Sequence, residues 1–154
     1  MHAAGGLAYW SAAQAIAAIM AGELAAADYA EALLAEVEAR EAEVRAFAWY
    51  DPARWREAAR ACAEQPGGPL AGIPVGIKDI IDTAGIPTEW GSVAYAGRVP
   101  QRSATVVRRI EAAGGYVAGK TVTAELAYYE PGPTRNPWNL AHTPGGSSSG
   151  SAAA

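Results

Sequence analysis

Cysteine and histidine are scarce in this chain of 154 residues, which has one cysteine and two histidines. The single cysteine, Cys62, excludes an internal disulfide because a disulfide needs two thiols in the chain. One cysteine and two histidines are also too few for the Cys/His clusters that bind structural zinc. We therefore expect no metal site, and nothing in the composition suggests another cofactor.

Clusters of basic residues and long apolar runs are also lacking. The formal net charge is −4, and without a Lys/Arg cluster we expect neither nucleic acid nor an anionic membrane surface as a partner. A membrane-spanning helix needs about 18 or more consecutive apolar residues, and no such run occurs. The first residues, MHA, lack the basic start of a signal peptide. These features predict a cytoplasmic protein.

The composition is that of a globular domain. Hydrophobic residues make up 51% of the chain and charged residues 18%, which is outside the range of disordered proteins. The length suits one ordinary domain. The hydrophobic pattern divides it into a helical part, to about residue 65, and an α/β part over residues 66–154.

The first predicted helix begins at a capping box. Ser11 and Gln14 have the spacing at which the serine hydroxyl accepts from a free backbone N–H while the glutamine reaches back. Gly22 is placed to end this helix. Its apolar face is expected to consist of Ile16, Ile19 and Met20.

Two more helices are predicted in the first part. The second covers about residues 25–45, where apolar residues follow the i, i+3, i+4, i+7 spacing: Ala30, Leu33, Leu34 and Val37. Asp51 and Pro52 then suit the N-cap and first position of a third helix. Its inward face would consist of Trp55, Ala58, Ala59 and Cys62. On that face, Cys62 is interpreted as an inert core thiol.

Short apolar strands predict a parallel sheet in the second part. Residues 73–77 and 116–119 are both typical of buried strands. A helix over about 104–113, capped by Ser103, is expected between them and ends at Gly114. The order strand–helix–strand favours a parallel pair in an α/β domain.

The remaining segments of the second part are expected to be mostly loops. Residues 82–87 should contain a turn, and residues 134–139 form a loop without periodicity. A short helix is predicted over residues 121–128. The five tryptophans show no stacking pattern for nucleic-acid bases and are interpreted as packing residues.

Lys78 is the first candidate for chemistry, because it ends the first predicted strand of the sheet. Burial disfavours an ammonium group, so a lysine at such a position can act as a base. The alternative is an ordinary lysine, either paired with Asp79 or Asp82 or extended so that its amine reaches water.

The second candidate is the Gly/Ser-rich segment 145–151. Glycines allow backbone N–H groups to converge on an anion, and serine hydroxyls can donate, accept or attack. A flexible linker or a helix-capping loop would have the same composition. A nucleoside-triphosphate loop is disfavoured, because no lysine follows the glycines. His142 has no acidic residue at a spacing that would indicate a catalytic triad, and it is interpreted as a surface residue.

Taken together, four segments resemble the amidase signature family, in the family's order. Residues 70–79 (LAGIPVGIKD) resemble its lysine segment, and residues 105–120 resemble its helix followed by GKT. Residues 132–139 (GPTRNPWN) resemble a family loop, and residues 144–154 (PGGSSSGSAAA) resemble the first part of the Gly/Ser-rich signature. The family loop reads GGSSGGS, so Ser149 replaces a glycine here.

The resemblance implies a Ser–Ser–Lys triad. Lys78 would be the base, and Ser147 the bridging serine that follows a cis peptide bond and relays protons. Gly145, Gly146, Ser148 and Ser149 would form the surrounding loop and a substrate or oxyanion region. The family's nucleophile is another serine about two dozen residues further on, and we rate Ser148, Ser149 and Ser151 as poor substitutes because a misplaced nucleophile reacts slowly.

The implied fold is α/β, with N-terminal helices followed by the start of a mixed, largely parallel sheet flanked by helices. Residues 1–154 would then be the N-terminal part of a single amidase-like domain, inactive alone. The implied substrate is a small-molecule amide, and the implied assembly a homodimer or a complex with an amidotransferase partner subunit.

Two alternatives remain beside a free-standing amidase. One is the A subunit of glutamyl-tRNA amidotransferase, which is disfavoured because residues 125–131 are shorter than in that subunit. The other is a non-catalytic module that binds an anion at the Gly/Ser loop. That module requires a loop facing solvent far from Lys78, whereas the amidase requires Lys78 and Ser147 within hydrogen-bond reach.

Overall fold

The computed structural model describes residues 6–64 and 67–154. Five helices and three strands follow one another in this part of the chain: α1 Ala12–Met20, α2 Ala26–Val44, β1 Phe47–Tyr50, α3 Pro52–Glu64, β2 Pro74–Lys78, α4 Thr105–Ala112, β3 Tyr116–Thr121 and α5 Ser149–Ala153. Three 3₁₀ turns lie between them: Leu7–Tyr9, Val93–Tyr95 and Glu125–Ala127.

The three strands form one mixed sheet in the order β1-β3-β2. Strand β2 runs parallel to β3, with Lys78 beside Thr121, and β1 runs antiparallel to β3 on the other side. A parallel pair needs a crossover connection, which α4 supplies here. The predicted fold class, helices followed by a small and partly parallel sheet, is confirmed.

The capping box at the start of α1 is confirmed. The Gln14 backbone N–H donates to Ser11 Oγ at 3.3 Å, and the Ser11 N–H donates to Gln14 Oε1 at 2.9 Å. The predicted apolar face is partly wrong, because Met20 is 56% exposed while Ala15 and Ala18 are the buried residues. Alanines at the contact bring the helix close to its neighbours, which leaves larger flanking side chains at the edge.

The main core lies where α2 and α3 cover the sheet. Its buried residues come from both helices and β3: Ala30, Leu34, Trp55, Ala59, Tyr116 and Ala118. Cys62 packs at its margin, and burial raises the pKa of its thiol. The inward faces predicted for α2 and α3 are therefore confirmed, as is the capping role of Asp51, whose Oδ1 accepts from the Ala53 N–H at 2.8 Å.

Strand β1 lies within the part predicted to be helical, so that prediction is wrong for Phe47–Tyr50. The sequence FAWY is rich in aromatic residues, which favour strands. Helix α2 ends just before it, at Arg45 with a φ of 55° in the left-handed region. The chain turns at Arg45, and the residues after it then form backbone hydrogen bonds with β3. A continued helix could not form these hydrogen bonds.

Two further predictions are wrong around β3. The helix predicted over residues 121–128 is absent: Thr121 completes β3, and only Glu125–Ala127 forms a 3₁₀ turn, with φ of 49° at Leu126. Ser103 does not cap α4, whose N-cap is Ala104. Ser103 Oγ instead accepts from the Ala84 N–H at 3.0 Å, because the loop before α4 folds back on the turn after β2.

The interpretation of the tryptophans as packing residues holds for Trp55, which is 3% exposed, and fails for Trp138, which is 96% exposed. Trp138 lies in the turn-rich loop after residue 134, outside the core. Among the helices that the structure describes, none combines the length and apolar character needed to cross a membrane.

Candidate functional site

The structure brings Lys78 and Ser147 together across 69 positions of sequence. Lys78 is the last residue of β2, and its Nζ donates to Ser147 Oγ at 2.7 Å. Both residues are half-buried. The alternative that Lys78 pairs with Asp79 or Asp82 is wrong, because Asp79 pairs with Lys120 and Asp82 with Arg98.

The serine loop is held in place by backbone hydrogen bonds to the segment that follows β3. The Ala124 N–H donates to the Ser147 carbonyl at 2.8 Å, and the Gly150 N–H donates to the Val122 carbonyl at 3.0 Å. The hydroxyls of Thr121 and Ser151 share a hydrogen bond of 2.7 Å. A flexible linker would make no such fixed contacts, so that interpretation of the segment is wrong. The Gly146–Ser147 peptide bond is cis.

The other serines of the loop do not join this pair. Ser149 is 4% exposed, and its hydroxyl lies 3.5 Å from the Val122 carbonyl. Ser148 is exposed, as are Gly145 and Gly146. The structure therefore assembles a dyad of one amine and one hydroxyl, with the neighbouring serine hydroxyls directed elsewhere or to solvent.

His142 lies on the surface, as its interpretation from sequence stated. The residue is exposed, and its backbone closes a turn with Asn136 and Asn139 at 2.9 Å each. In the described residues, no group of three or more His, Cys, Asp or Glu side chains could hold a metal ion.

A buried ion pair next to Lys78 was missed by the sequence analysis. Lys120 is fully buried, and its Nζ lies 3.3 Å from Asp79 Oδ1. The same amine donates to the Ile81 carbonyl at 2.9 Å and to Thr88 Oγ1 at 2.6 Å. Burial lowers the pKa of Lys120, and the Asp79 carboxylate opposes that shift. The signal in the sequence was a lysine inside an otherwise apolar strand.

A second ion pair fastens the loop after β2. Arg98 binds Asp82 with two hydrogen bonds of 2.7 and 2.8 Å, and its guanidinium lies 4.4 Å from the centre of the Trp90 ring. Arg98 also donates to the Thr88 carbonyl at 3.1 Å. The hydrogen bonds from Arg98 hold the pKa of the Asp82 carboxyl below its ordinary value.

Replacing Asp82 with asparagine is expected to destabilise the protein only where the carboxylate is ionised. A lowered folded-state pKa means that the pair stabilises the fold above pH 3.8, the ordinary value, and loses this contribution as the pH falls through the lower folded value. Because the pair is partly exposed, we expect a loss of about 1 kcal/mol in the free energy of unfolding near neutral pH. Denaturant titrations at neutral and strongly acidic pH measure it.

The control for this prediction is Glu57→Gln, which removes an exposed carboxylate from α3. It should change the free energy of unfolding little at either pH. A loss for Asp82→Asn that stays the same in strong acid would contradict the assignment to the ion pair.

Comparisons with known proteins agree on one family. A family model described as Amidase matches residues 28–154. The chain is 44% identical to the glutamyl-tRNA(Gln) amidotransferase A subunit of Salinispora arenicola (strain CNS-205), covering 94% of this chain and 32% of that protein. Against the equivalent protein of Chloroflexus aggregans (strain MD-66 / DSM 9485), the identity is 45%, with 89% and 30% covered.

The solved structures give the same result for the fold. The native peptide amidase from Stenotrophomonas maltophilia superposes with a TM-score of 0.87 and 34% identity. The match covers 96% of this chain and 34% of that one. The chain thus spans about a third of the length of the relatives it matches.

Proposed function

Because the chain belongs to the amidase family, we propose that its protein hydrolyses a carboxamide to a carboxylate and ammonia, with Lys78 as base and Ser147 as proton relay. The observation that carries this proposal is the 2.7 Å contact between Lys78 Nζ and Ser147 Oγ. An amine and a hydroxyl at this distance can exchange a proton directly. The substrate class is a small-molecule amide.

In the proposed reaction the Lys78 amine is the final proton acceptor. A nucleophilic hydroxyl attacks the amide carbon and gives its proton to Ser147 Oγ, while Ser147 passes its own proton to Lys78 Nζ. The C–N bond then breaks, and the proton returns through Ser147 to the departing nitrogen, which leaves as ammonia. Water attacks the resulting ester by the same route, which releases the carboxylate and restores the nucleophile.

The attacking hydroxyl is not supplied by the serines beside Ser147 in this proposal. Ser149 is buried against the Val122 carbonyl, and Ser151 is hydrogen-bonded to Thr121. Neither hydroxyl contacts Ser147 Oγ, which a relay from nucleophile to base requires. We propose that a longer polypeptide carrying these 154 residues supplies the nucleophile, and that the 154 residues alone release no ammonia.

The test is ammonia release from a panel of simple primary amides. We expect turnover from the longer polypeptide and none from the 154-residue chain at equal concentration. Turnover by the 154-residue chain that disappears in Lys78→Ala would contradict the proposed external nucleophile. A longer polypeptide that folds and hydrolyses no amide of the panel, alone or with a partner subunit, would contradict the activity itself.

A second candidate is the A subunit of a glutamyl-tRNA amidotransferase. The observation in its favour is the similarity to the two amidotransferase proteins above, which are 44% and 45% identical to this chain. The same dyad would then release ammonia for use by a partner subunit. Copurification of a second subunit, with ammonia release that depends on it, would favour the amidotransferase, and full activity of a single-chain preparation would favour the free-standing amidase.

The non-catalytic module is the weakest candidate. It requires a solvent-facing loop far from Lys78, and the observed contact with Ser147 does not meet that requirement. With either enzymatic function, we propose a cytoplasmic location and an assembly as a homodimer or with a partner subunit.

A further inference from the structure

We infer that the buried cluster of Asp79, Lys120 and Thr88 positions Lys78 so that its amine meets Ser147. This inference rests on the proposed function, because it concerns the same dyad. The three residues do not touch the Lys78 amine or the Ser147 hydroxyl, so they act as positioning residues through the end of β2 and not as catalytic residues.

Asp79 fixes the backbone immediately after Lys78. Its N–H donates to the Thr121 carbonyl at 2.9 Å, and its carbonyl accepts from the Trp90 N–H at 3.1 Å. Its carboxylate accepts from the Glu89 N–H at 3.1 Å through Oδ2 and faces Lys120 through Oδ1. Four contacts on one residue tie the end of β2 to β3 and to the loop at residues 89–90.

Lys120 completes the cluster from the neighbouring strand. A buried ammonium group needs a partner for each of its three N–H donors, and Lys120 has three acceptors in Asp79, Ile81 and Thr88. Two of them lie in the chain just after β2. The amine therefore clamps that segment against β3 from inside the protein.

The cluster and the dyad lie on opposite sides of the strand end. Asp79 directly follows β2, and its carboxylate faces Lys120 while the Lys78 amine faces Ser147, as expected for successive side chains of an extended chain. Removing water from an ion pair is costly, and apolar residues of the same volume often stabilise a core equally well. We infer that the Asp79–Lys120 pair offsets this cost by fixing the geometry at the end of β2.

The variant Thr88→Val tests this inference. Removing either charge from a buried pair leaves the other unpaired and is strongly destabilising, so Lys120→Met would not separate positioning from folding. Valine keeps the shape of Thr88 and removes the hydroxyl, which accepts from Lys120 and donates to the Ile86 carbonyl. Thr88→Ser, which keeps the hydroxyl, is the matched control.

The measurement is the rate at which Lys78 is reductively methylated in the folded protein, followed by peptide mass spectrometry. The 154 residues contain only two lysines, Lys78 and Lys120, and Lys120 is fully buried. Ser147→Ala provides the calibration, since it removes the hydrogen-bond partner and frees the Lys78 amine. Circular dichroism and cooperative thermal unfolding confirm that each variant is folded.

We expect Thr88→Val to raise the methylation rate of Lys78 at least about threefold, towards the Ser147→Ala value, and Thr88→Ser to remain close to the wild type. Where the protein hydrolyses an amide, kcat should fall about tenfold in Thr88→Val with little change in KM, because positioning of the base matters in the transition state.

A wild-type methylation rate in folded Thr88→Val, beside a raised rate in Ser147→Ala, would overturn the inference. An unchanged rate in Ser147→Ala would overturn it too, since no contact would then exist for the cluster to hold. Failure of the proposed function has a different signature: no hydrolysis of any amide of the panel by the folded longer polypeptide, alone or with a partner subunit. The methylation rates still decide the positioning role in that case.

Discussion

Ammonia release is expected to fall by about a thousandfold or more when Lys78 is replaced by alanine. In the part of the chain that the structure describes, the Ser147 hydroxyl has one hydrogen-bond partner, the Lys78 amine at 2.7 Å. In the proposed mechanism, the proton of the nucleophile would have no acceptor at the end of the relay without this amine. Initial rates of the longer polypeptide on its best primary amide measure the effect.

The control for this prediction is Arg102→Ala, which removes an exposed cation from the loop before α4. This variant should hydrolyse the amide at nearly the wild-type rate. That result would show that losing one positive charge does not by itself cause the fall in activity of Lys78→Ala. Matching thermal unfolding curves for Lys78→Ala and the wild type would show that the fold is intact. Retention of more than a tenth of the wild-type kcat by folded Lys78→Ala would contradict the role of base.

The second large effect is expected for Gly150→Ala. A Cβ added to Gly150 would overlap two backbone atoms, the carbonyl oxygen of Ala46 and the nitrogen of Val122. Backbone cannot rotate away as a side chain can, so α5 must move away from Ala46 and Val122. Because the Ser147 loop leads into α5, we expect loss of the Lys78–Ser147 contact together with about 1–3 kcal/mol of stability.

Denaturant titration and the methylation rate of Lys78 measure the two parts of this effect. Gly6→Ala is the matched control, because a Cβ there meets no atom within 4 Å and the φ of −57° suits alanine. Wild-type values of both quantities in Gly150→Ala would show that the loop is not seated on the sheet as the structure describes.

Local patterns in the sequence predicted strand β2, which carries Lys78, and the bounds of two helices. The apolar run before Lys78 indicated strand β2, the glycines after α4 marked its end, and the capping box fixed the start of α1. The pairing of Lys78 with Ser147, however, depended on the family resemblance. Spacing along a chain cannot show that residues 69 positions apart meet.

The missed features all depend on contacts distant in sequence. Strand β1 forms because β3 offers an edge, and its four residues carry too little periodicity to separate a strand from a helix. Ser103 looked like an N-cap, yet the Ala84 N–H is a competing donor from another loop. The sequence analysis assigned Lys120 no partner, and only the folded chain shows the three acceptors that enclose its amine.

The contact between Lys78 and Ser147 depends on the register in which β2 pairs with β3. Lys78 lies beside Thr121, and these neighbours bind opposite ends of one short segment, at Ser147 and Ser151. A slip of one residue would turn both side chains to the other face of the sheet. Molecules with the wrong register would therefore keep their helices and release no ammonia. The specific activity of a preparation would then measure its correctly paired fraction. Circular dichroism would not distinguish the two forms, because both contain the same helices.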